Sequence, residues 1–244
     1  MIYPAFLLTA GYLAIYAAAI LIYYGFFTGR YATVDEFMAA HGEPVSISAL
    51  LFALGSAFWI YRKDNKAQSG TPVSFTIILR AIIMGMLAGH GLGILVSLIN
   101  YSGFLGNYVR TEQILKVSGI VMATVKAVLL APLAEEIAFR GLVFKRGREY
   151  MSFWPAALTS SLFFALYHMN LTQGIYAFMY GLLLCAIYDK IRNLWVPIAM
   201  HAAANALALA LQLAGIDYPR LWMGVVMMIA TLGGCYLLLR KSLK

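Results

Sequence analysis

Residues 1–27 contain no Asp, Glu, Lys or Arg, and neither do residues 44–61. Uninterrupted apolar runs of this length leave few options. A helix that crosses a bilayer needs about 20 consecutive apolar residues. Lipid offers the backbone no hydrogen-bond partner, so a crossing segment must satisfy its own N–H and C=O groups. The remainder of the chain has the same character. Of its 244 residues 62% are hydrophobic and 11% charged, against about 25% charged in a soluble domain; the mean hydropathy is +0.80. The expected fold is all-α: a polytopic membrane protein forming a single transmembrane domain over residues 1–244.

Apolar windows separated by polar punctuation predict about eight spans, at roughly 3–27, 44–62, 74–100, 114–134, 153–168, 174–189, 194–213 and 219–239. The first run lacks a basic leader and exceeds the ~7–15 residues of a signal h-region, so it reads as a span. Alternate connections differ sharply in Lys and Arg. One side collects Arg62, Lys63, Lys66, Lys145, Arg146, Arg148, Lys190, Arg192, Arg240, Lys241 and Lys244. The other holds only Arg30, Arg110, Lys116 and Arg220. Positive connections stay in the cytoplasm, so both termini are expected there, in a multi-pass protein of the cell membrane. The net charge of +8 is thus accounted for by topology and lipid, and no nucleic-acid partner is expected.

Cys185 and Cys235 each lie within an apolar run and form no CxxC pair, so they suggest no disulfide framework. Gly85, Gly89 and Gly93 recur at every fourth position, the small-xxx-small pattern of close helix packing in lipid. The "GHGLG" around His90 follows no strand and is not a dinucleotide loop; His90 reads as an interhelical histidine with a hydrogen-bond partner. No internal repeat supports an inverted-repeat transporter.

Charge inside such a bundle needs a reason, because an ionised side chain at bilayer depth costs ~2.5–3.5 kcal/mol on insertion scales. Three polar groups accept that cost: Glu135, Glu136 and Arg140 in "AEEIAFRG", His168 in "FFALYH", and His201 with Asn205 in "MHAAAN". Glu136 and Arg140 are i,i+4 and can pair on one helix face. Glu135 is turned about 100° from Glu136 and is free to face something else, as a general base would. The reverse assignment of the two glutamates is the alternative. Phe164 stands one turn before His168 and can wall its pocket, or simply pack. His201 and Asn205 are also i,i+4 and can aim donors at one spot, as an oxyanion site requires.

These residues match EExxxR, FxxxH and HxxxN, in that order. The chain resembles the CAAX-protease and bacteriocin-processing family of intramembrane endopeptidases, which includes the type II CAAX prenyl endopeptidases. The resemblance covers about residues 112–212, taken as the catalytic core. It implies an eight-helix fold with a catalytic chamber open to the cytosolic side. It implies that Glu135 and His168 activate a water, and that His201 and Asn205 stabilise the oxyanion. Glu136, Arg140 and Phe164 then have supporting roles. The implied partners are a peptide or lipidated-protein substrate and membrane lipid. Metal use is left open: Glu135, His168 and His201 could hold a divalent metal such as zinc, yet HExxH is absent and a metal-free mechanism is also consistent.

One geometric conflict accompanies this picture. By helical rise, His201 stands ~10 Å and His168 ~22 Å from the cytoplasmic ends of their spans. They cannot meet if all spans are straight and upright. Rival readings are a proton-coupled transporter with a Glu–His–Arg relay, a non-catalytic immunity or scaffold protein, and a haem-binding histidine pair. Lys126 is assigned to the chamber wall and Arg80 to the cytoplasmic interface.

Overall fold

The computed structural model describes residues 3–27, 29–64, 72–99, 119–216 and 221–241. Among them there are helices and no strands. Helix α1 (Tyr3–Ile22) ends in a π-helical turn, Tyr23–Phe27, and α2 covers Val34–Asp64. Helix α3 is Phe75–Ile99. The helical stretch 119–150, here α4, is irregular: α-helical Ala131–Glu136 and Lys145–Tyr150 alternate with π-helical Val125–Leu130 and Ile137–Phe144. Helices α5 (Phe153–Tyr167), α6 (Leu171–Ile191), α7 (Trp195–Leu213) and α8 (Leu221–Lys241) complete the chain. The protein is an all-α polytopic membrane protein. Among the described residues four stretches are long and apolar enough to cross a bilayer: Pro44–Asp64, Phe75–Ser97, Leu171–Ile191 and Trp195–Leu213. The span expected at 114–134 begins outside the described residues, so the figure of eight stays an expectation.

Helix α4 occupies the centre. Every residue from Ala134 to Phe144 is buried, and its segments pack on α1, α2, α5, α6 and α7. A helix apolar on all sides can face lipid or protein; "IAFRGLVF" carries Arg140, and the fully buried guanidinium finds its partner inside the bundle, at Glu136. Beside it, α3 and α7 run parallel and close. Gly85 abuts the backbone of Met200, and Gly89 abuts Ala204 and the Tyr176 hydroxyl. A Cβ at Gly85 would overlap the Met200 carbonyl, so the small-residue repeat on α3 does serve close packing. Ala81, Met84, Ala88 and Leu92 of α3 continue that core against Leu184, Ile187, Val196 and Met200.

Three cation-rich connections meet at one end of the bundle. Arg146 binds Asp64 at 2.7 Å, Arg148 binds Asp189 at 2.8 Å, and Arg192 binds the same Asp189 at 3.1 Å. The ends of α2, α4 and α6 are therefore neighbours, as an alternating charge pattern requires. Lys66, Arg110, Lys116, Arg220 and Lys244 lie outside the described residues.

The first of the two histidines ends a short helix. Helix α5 has 15 residues, ~22 Å at 1.5 Å per residue, which is less than the ~30 Å hydrocarbon core. Met169 then adopts a left-handed φ of 52°, and Asn170 caps α6, its Oδ1 accepting from Gln173 N at 2.9 Å. The chain thus turns back directly after His168, and both imidazoles still reach the Phe164 ring, so the helices that carry the two histidines are not both straight and upright.

Candidate active site

On α4 the two glutamates part as their spacing requires. Glu136 Oε1 accepts from Arg140 Nη1 at 2.8 Å, and both side chains are fully buried. The guanidinium lies over the Phe164 ring, 4.5 Å from its centroid. On its other side is Gly181 of α6, where a Cβ would stand 3.1 Å from Arg140 Nη2. Arg140 is therefore clamped between an aromatic face and a residue with no side chain. Glu135 points elsewhere, and its Oε2 lies 3.8 Å from His201 Nε2.

Both histidines are held in a defined tautomer. His168 Nδ1 is 2.8 Å from the Phe164 carbonyl oxygen. A carbonyl can only accept, so Nδ1 carries the proton and Nε2 is the ring's remaining valence. His201 Nδ1 is 2.9 Å from Glu136 Oε1, and donates to a carboxylate already paired with Arg140. This leaves His201 Nε2 turned toward Glu135. Phe164 separates the rings, edge-on to His168 at 4.9 Å and to His201 at 5.8 Å. His201 faces Glu135 directly at 3.8 Å, and the Phe164 ring ties His168 to the same neighbourhood. Segments 33 and 66 residues downstream of Glu135 thus converge on it.

Asn205 reaches a different partner. Its Nδ2 donates to the Ala127 carbonyl at 2.8 Å, within the π-helical turn Val125–Leu130. Two π-helical turns flank the glutamates, and such turns recur at functional sites because they free or re-aim backbone groups. The Asn205 bond fastens the first of them to α7. Asn205 also lines a partly enclosed cavity of about 280 Å³ bounded by α3, α6 and α7, together with His90, Ser97, Thr172 and Tyr176. None of Glu135, His168 and His201 lines it. Lys126 and Arg80 are both half-buried.

The metal alternative can be tested on donor placement. Among the described residues no three His, Cys, Asp or Glu side chains form a group able to hold a metal ion. Glu135, His168 and His201 as they stand do not make one, and no step is derived through a metal.

Several contacts lay beyond the reach of spacing. The Glu136–His201 bond links residues 65 apart. Tyr180 donates to the Met200 carbonyl at 3.0 Å and presents its ring to His201 at 5.9 Å. Gly181 admits Arg140. No local pattern marks these roles, although "YG" inside an otherwise apolar α6 is a hint that something approaches closely.

Residues 117–207 match the family model described as type II CAAX prenyl endopeptidase Rce1-like. The chain is also 29% identical over 105 residues to the Bacillus subtilis (strain 168) protein named "Putative membrane peptidase YdiL", a stretch covering 43% of each chain. No solved structure matches. The matched segment contains all three motifs and both histidines gathered about Glu135. Through that segment the chain is similar to the Rce1-like type II CAAX prenyl endopeptidases, and it spans less than half the length of the curated relative it matches.

Proposed function

We propose that the protein is an intramembrane endopeptidase that hydrolyses a peptide bond in a membrane-associated or lipidated peptide. Glu135 and His168 activate the attacking water. His201, and Asn205 through the N–H not given to Ala127, stabilise the tetrahedral oxyanion. Glu136, Arg140 and Phe164 hold this group in register. The observation that carries the reading is the buried placement of His201 between two carboxylates, Nδ1 at 2.9 Å from Glu136 and Nε2 at 3.8 Å from Glu135. Structural ion pairing alone would need only Glu136 and Arg140. A second buried carboxylate facing His201 Nε2 at 3.8 Å in a lipid-embedded bundle has no packing rationale, and it suits general-base chemistry.

Water attacks the carbonyl carbon as its proton passes to Glu135 or to His168 Nε2. The C–N bond then breaks, and the same proton goes to the departing amine. No metal enters this scheme. The cation-rich end faces the cytoplasm by the positive-inside rule. The test is cleavage of quenched fluorogenic peptides by purified protein in proteoliposomes, for wild type, Glu135→Gln and His168→Ala, each with and without chelator. Loss in both variants and indifference to chelator are expected. Full activity in either variant would refute the assignment, and loss with chelator alone would restore the metal.

A further inference from the structure

Apart from Ala204 and Asn205, the lining of the cavity beside Asn205 lies outside the three motifs. Helices α3 and α7 touch at Gly85–Met200 and Gly89–Ala204. One turn farther on they part, and Gly93 and Ala208 line the space between them. The first turn of α6 supplies Thr172 and Tyr176. The cavity therefore lies on the far side of His201 from the end of the bundle where Asp64, Arg146, Arg148 and Asp189 pair. It adjoins the catalytic group directly. Asn205 is one turn from His201 on the same helix, and Tyr176 stacks on Tyr180, whose ring meets His201.

We propose that this cavity is a substrate subsite, and that it takes an extended, uncharged stretch of peptide with small side chains on one flank of the cleaved bond. The proposal rests on the peptidase reading. Three properties carry it. The wall contains no Asp, Glu, Lys or Arg, so a charged side chain would lose its hydration without gaining a counter-ion. Peptide backbone inside a membrane must find hydrogen-bond partners, and Ser97 and Asn205 in the wall present uncharged ones. Ser97 Oγ donates to Ile94 O and keeps its acceptor valences; Asn205 gives one N–H to Ala127 and the other to the oxyanion, and keeps its carbonyl oxygen for the peptide. Finally, the space, about 280 Å³, is near the lower limit of ligand pockets, ~300–1,000 Å³, and leaves little room for bulky side chains.

The experiment uses the full chain in proteoliposomes with uncharged ten-residue quenched fluorogenic peptides, varied through Gly, Ala, Leu and Trp at the two positions on each side of the cleaved bond. On one flank only, Gly and Ala are expected to exceed Trp by roughly 10–100-fold in kcat/KM, the range a close-fitting pocket supplies. Ala208 is exposed, so Ala208→Leu fills the cavity without disturbing helix packing. It is expected to raise KM about tenfold for the Ala peptides with kcat within about threefold, the mark of lost binding rather than lost chemistry. Gly93→Ala is the milder second variant and shifts KM in the same direction. Equal cleavage of Gly and Trp peptides, or an unchanged KM in both variants, overturns the proposal. A benzophenone-bearing version of the best peptide is also cross-linked to the Glu135→Gln protein, or an Ala decapeptide if wild type cleaves none. Adducts on α3 or α7 at the cavity support the subsite even if nothing is cleaved, in which case the peptidase reading alone fails. Adducts elsewhere, or none, overturn the subsite.

Discussion

Adjacent glutamates with opposite energetic roles offer the sharpest test of the site. Glu136 is fully buried and binds both Arg140 at 2.8 Å and His201 at 2.9 Å. Replacing it by Gln removes the only charge paired to a buried guanidinium whose Nε and Nη2 have no other direct partner. Breaking a buried ion pair by deleting one member costs about 3–5 kcal/mol, because the survivor is left uncompensated. The Phe164 face recovers part of this, about 0.5–2 kcal/mol for a cation–π contact, but that contact exists already and does not grow. Glu136→Gln is therefore expected to lose about 3–5 kcal/mol of stability. Glu135 is also buried, at 7% exposure, yet its nearest ionic partner is 3.8 Å away, beyond hydrogen-bond length. A buried carboxylate without a close partner is itself a burden on the fold. Glu135→Gln should change stability by less than about 1 kcal/mol, in either direction, while abolishing cleavage; such positions hold function at the expense of stability. Reversible unfolding in mixed detergent micelles, followed by circular dichroism, measures both. Equal losses in the two variants, or a larger loss for Glu135→Gln, would refute the division of labour between the glutamates.

Other perturbations follow from single contacts. Gly181→Ala places a Cβ 3.0 Å from Ser161 Oγ and 3.1 Å from Arg140 Nη2; overpacking of this kind costs about 1–3 kcal/mol and should outweigh the helix-propensity gain of ~1 kcal/mol for Gly→Ala, giving a lower unfolding temperature. Asn205→Asp cannot donate to the Ala127 carbonyl and leaves that acceptor facing a carboxylate, so a loss of about 1–3 kcal/mol is expected, with a smaller loss in Asn205→Gln if the longer amide still reaches; unfolding in detergent reads both. Asp189→Asn removes partners of Arg148 and Arg192 together, but these side chains are partly exposed, so the effect should stay near 0.2–1 kcal/mol and shrink at high salt. A large, salt-independent loss there would contradict the placement of this end of the bundle in water.

What could be read from the sequence divides by distance along the chain. Glu136–Arg140 was legible because an i,i+4 spacing puts both side chains on one face of a helix. Close packing of α3 was legible from Gly85 and Gly89, since only a missing side chain lets backbones approach so closely. The all-α membrane class followed from uncharged runs alone. The bond between Glu136 and His201 was not legible, because no local rule relates residues 65 apart. Nor was the Asn205–Ala127 bond, which depends on a π-helical turn that "VKAVLL" does not announce. The turn directly after His168 lay between these cases. Its cause is the left-handed Met169 and the Asn170 cap onto Gln173. An Asn opening a helical run is a start signal, and it was present in "MNLTQG". Where α3 and α7 stop touching and leave a cavity depends on helix crossing geometry, which composition does not encode.

The tautomers carry the last step of the argument. Each imidazole donates from Nδ1, His168 to a carbonyl and His201 to a carboxylate, so each offers only Nε2 to a reaction. A neutral Nε2 accepts a proton, which suits His168 as partner of Glu135. An oxyanion needs a donor, so His201 can serve it only as an imidazolium, with Nε2 protonated. In that state the buried group holds Glu135 and Glu136 against Arg140 and His201, two negative charges and two positive. This is the one full-charge assignment of these four groups that leaves no net charge in the bundle, where an uncompensated charge is most costly. Glu136 is then the pivot: it binds Arg140 and, by accepting from His201 Nδ1, it stabilises the very imidazolium the oxyanion requires. It follows that Glu136→Gln should impair cleavage even under conditions where the variant is fully folded, with the deficit in kcat rather than KM. A folded Glu136→Gln protein with normal kcat would show that His201 needs no such partner, and would remove His201 from the oxyanion site.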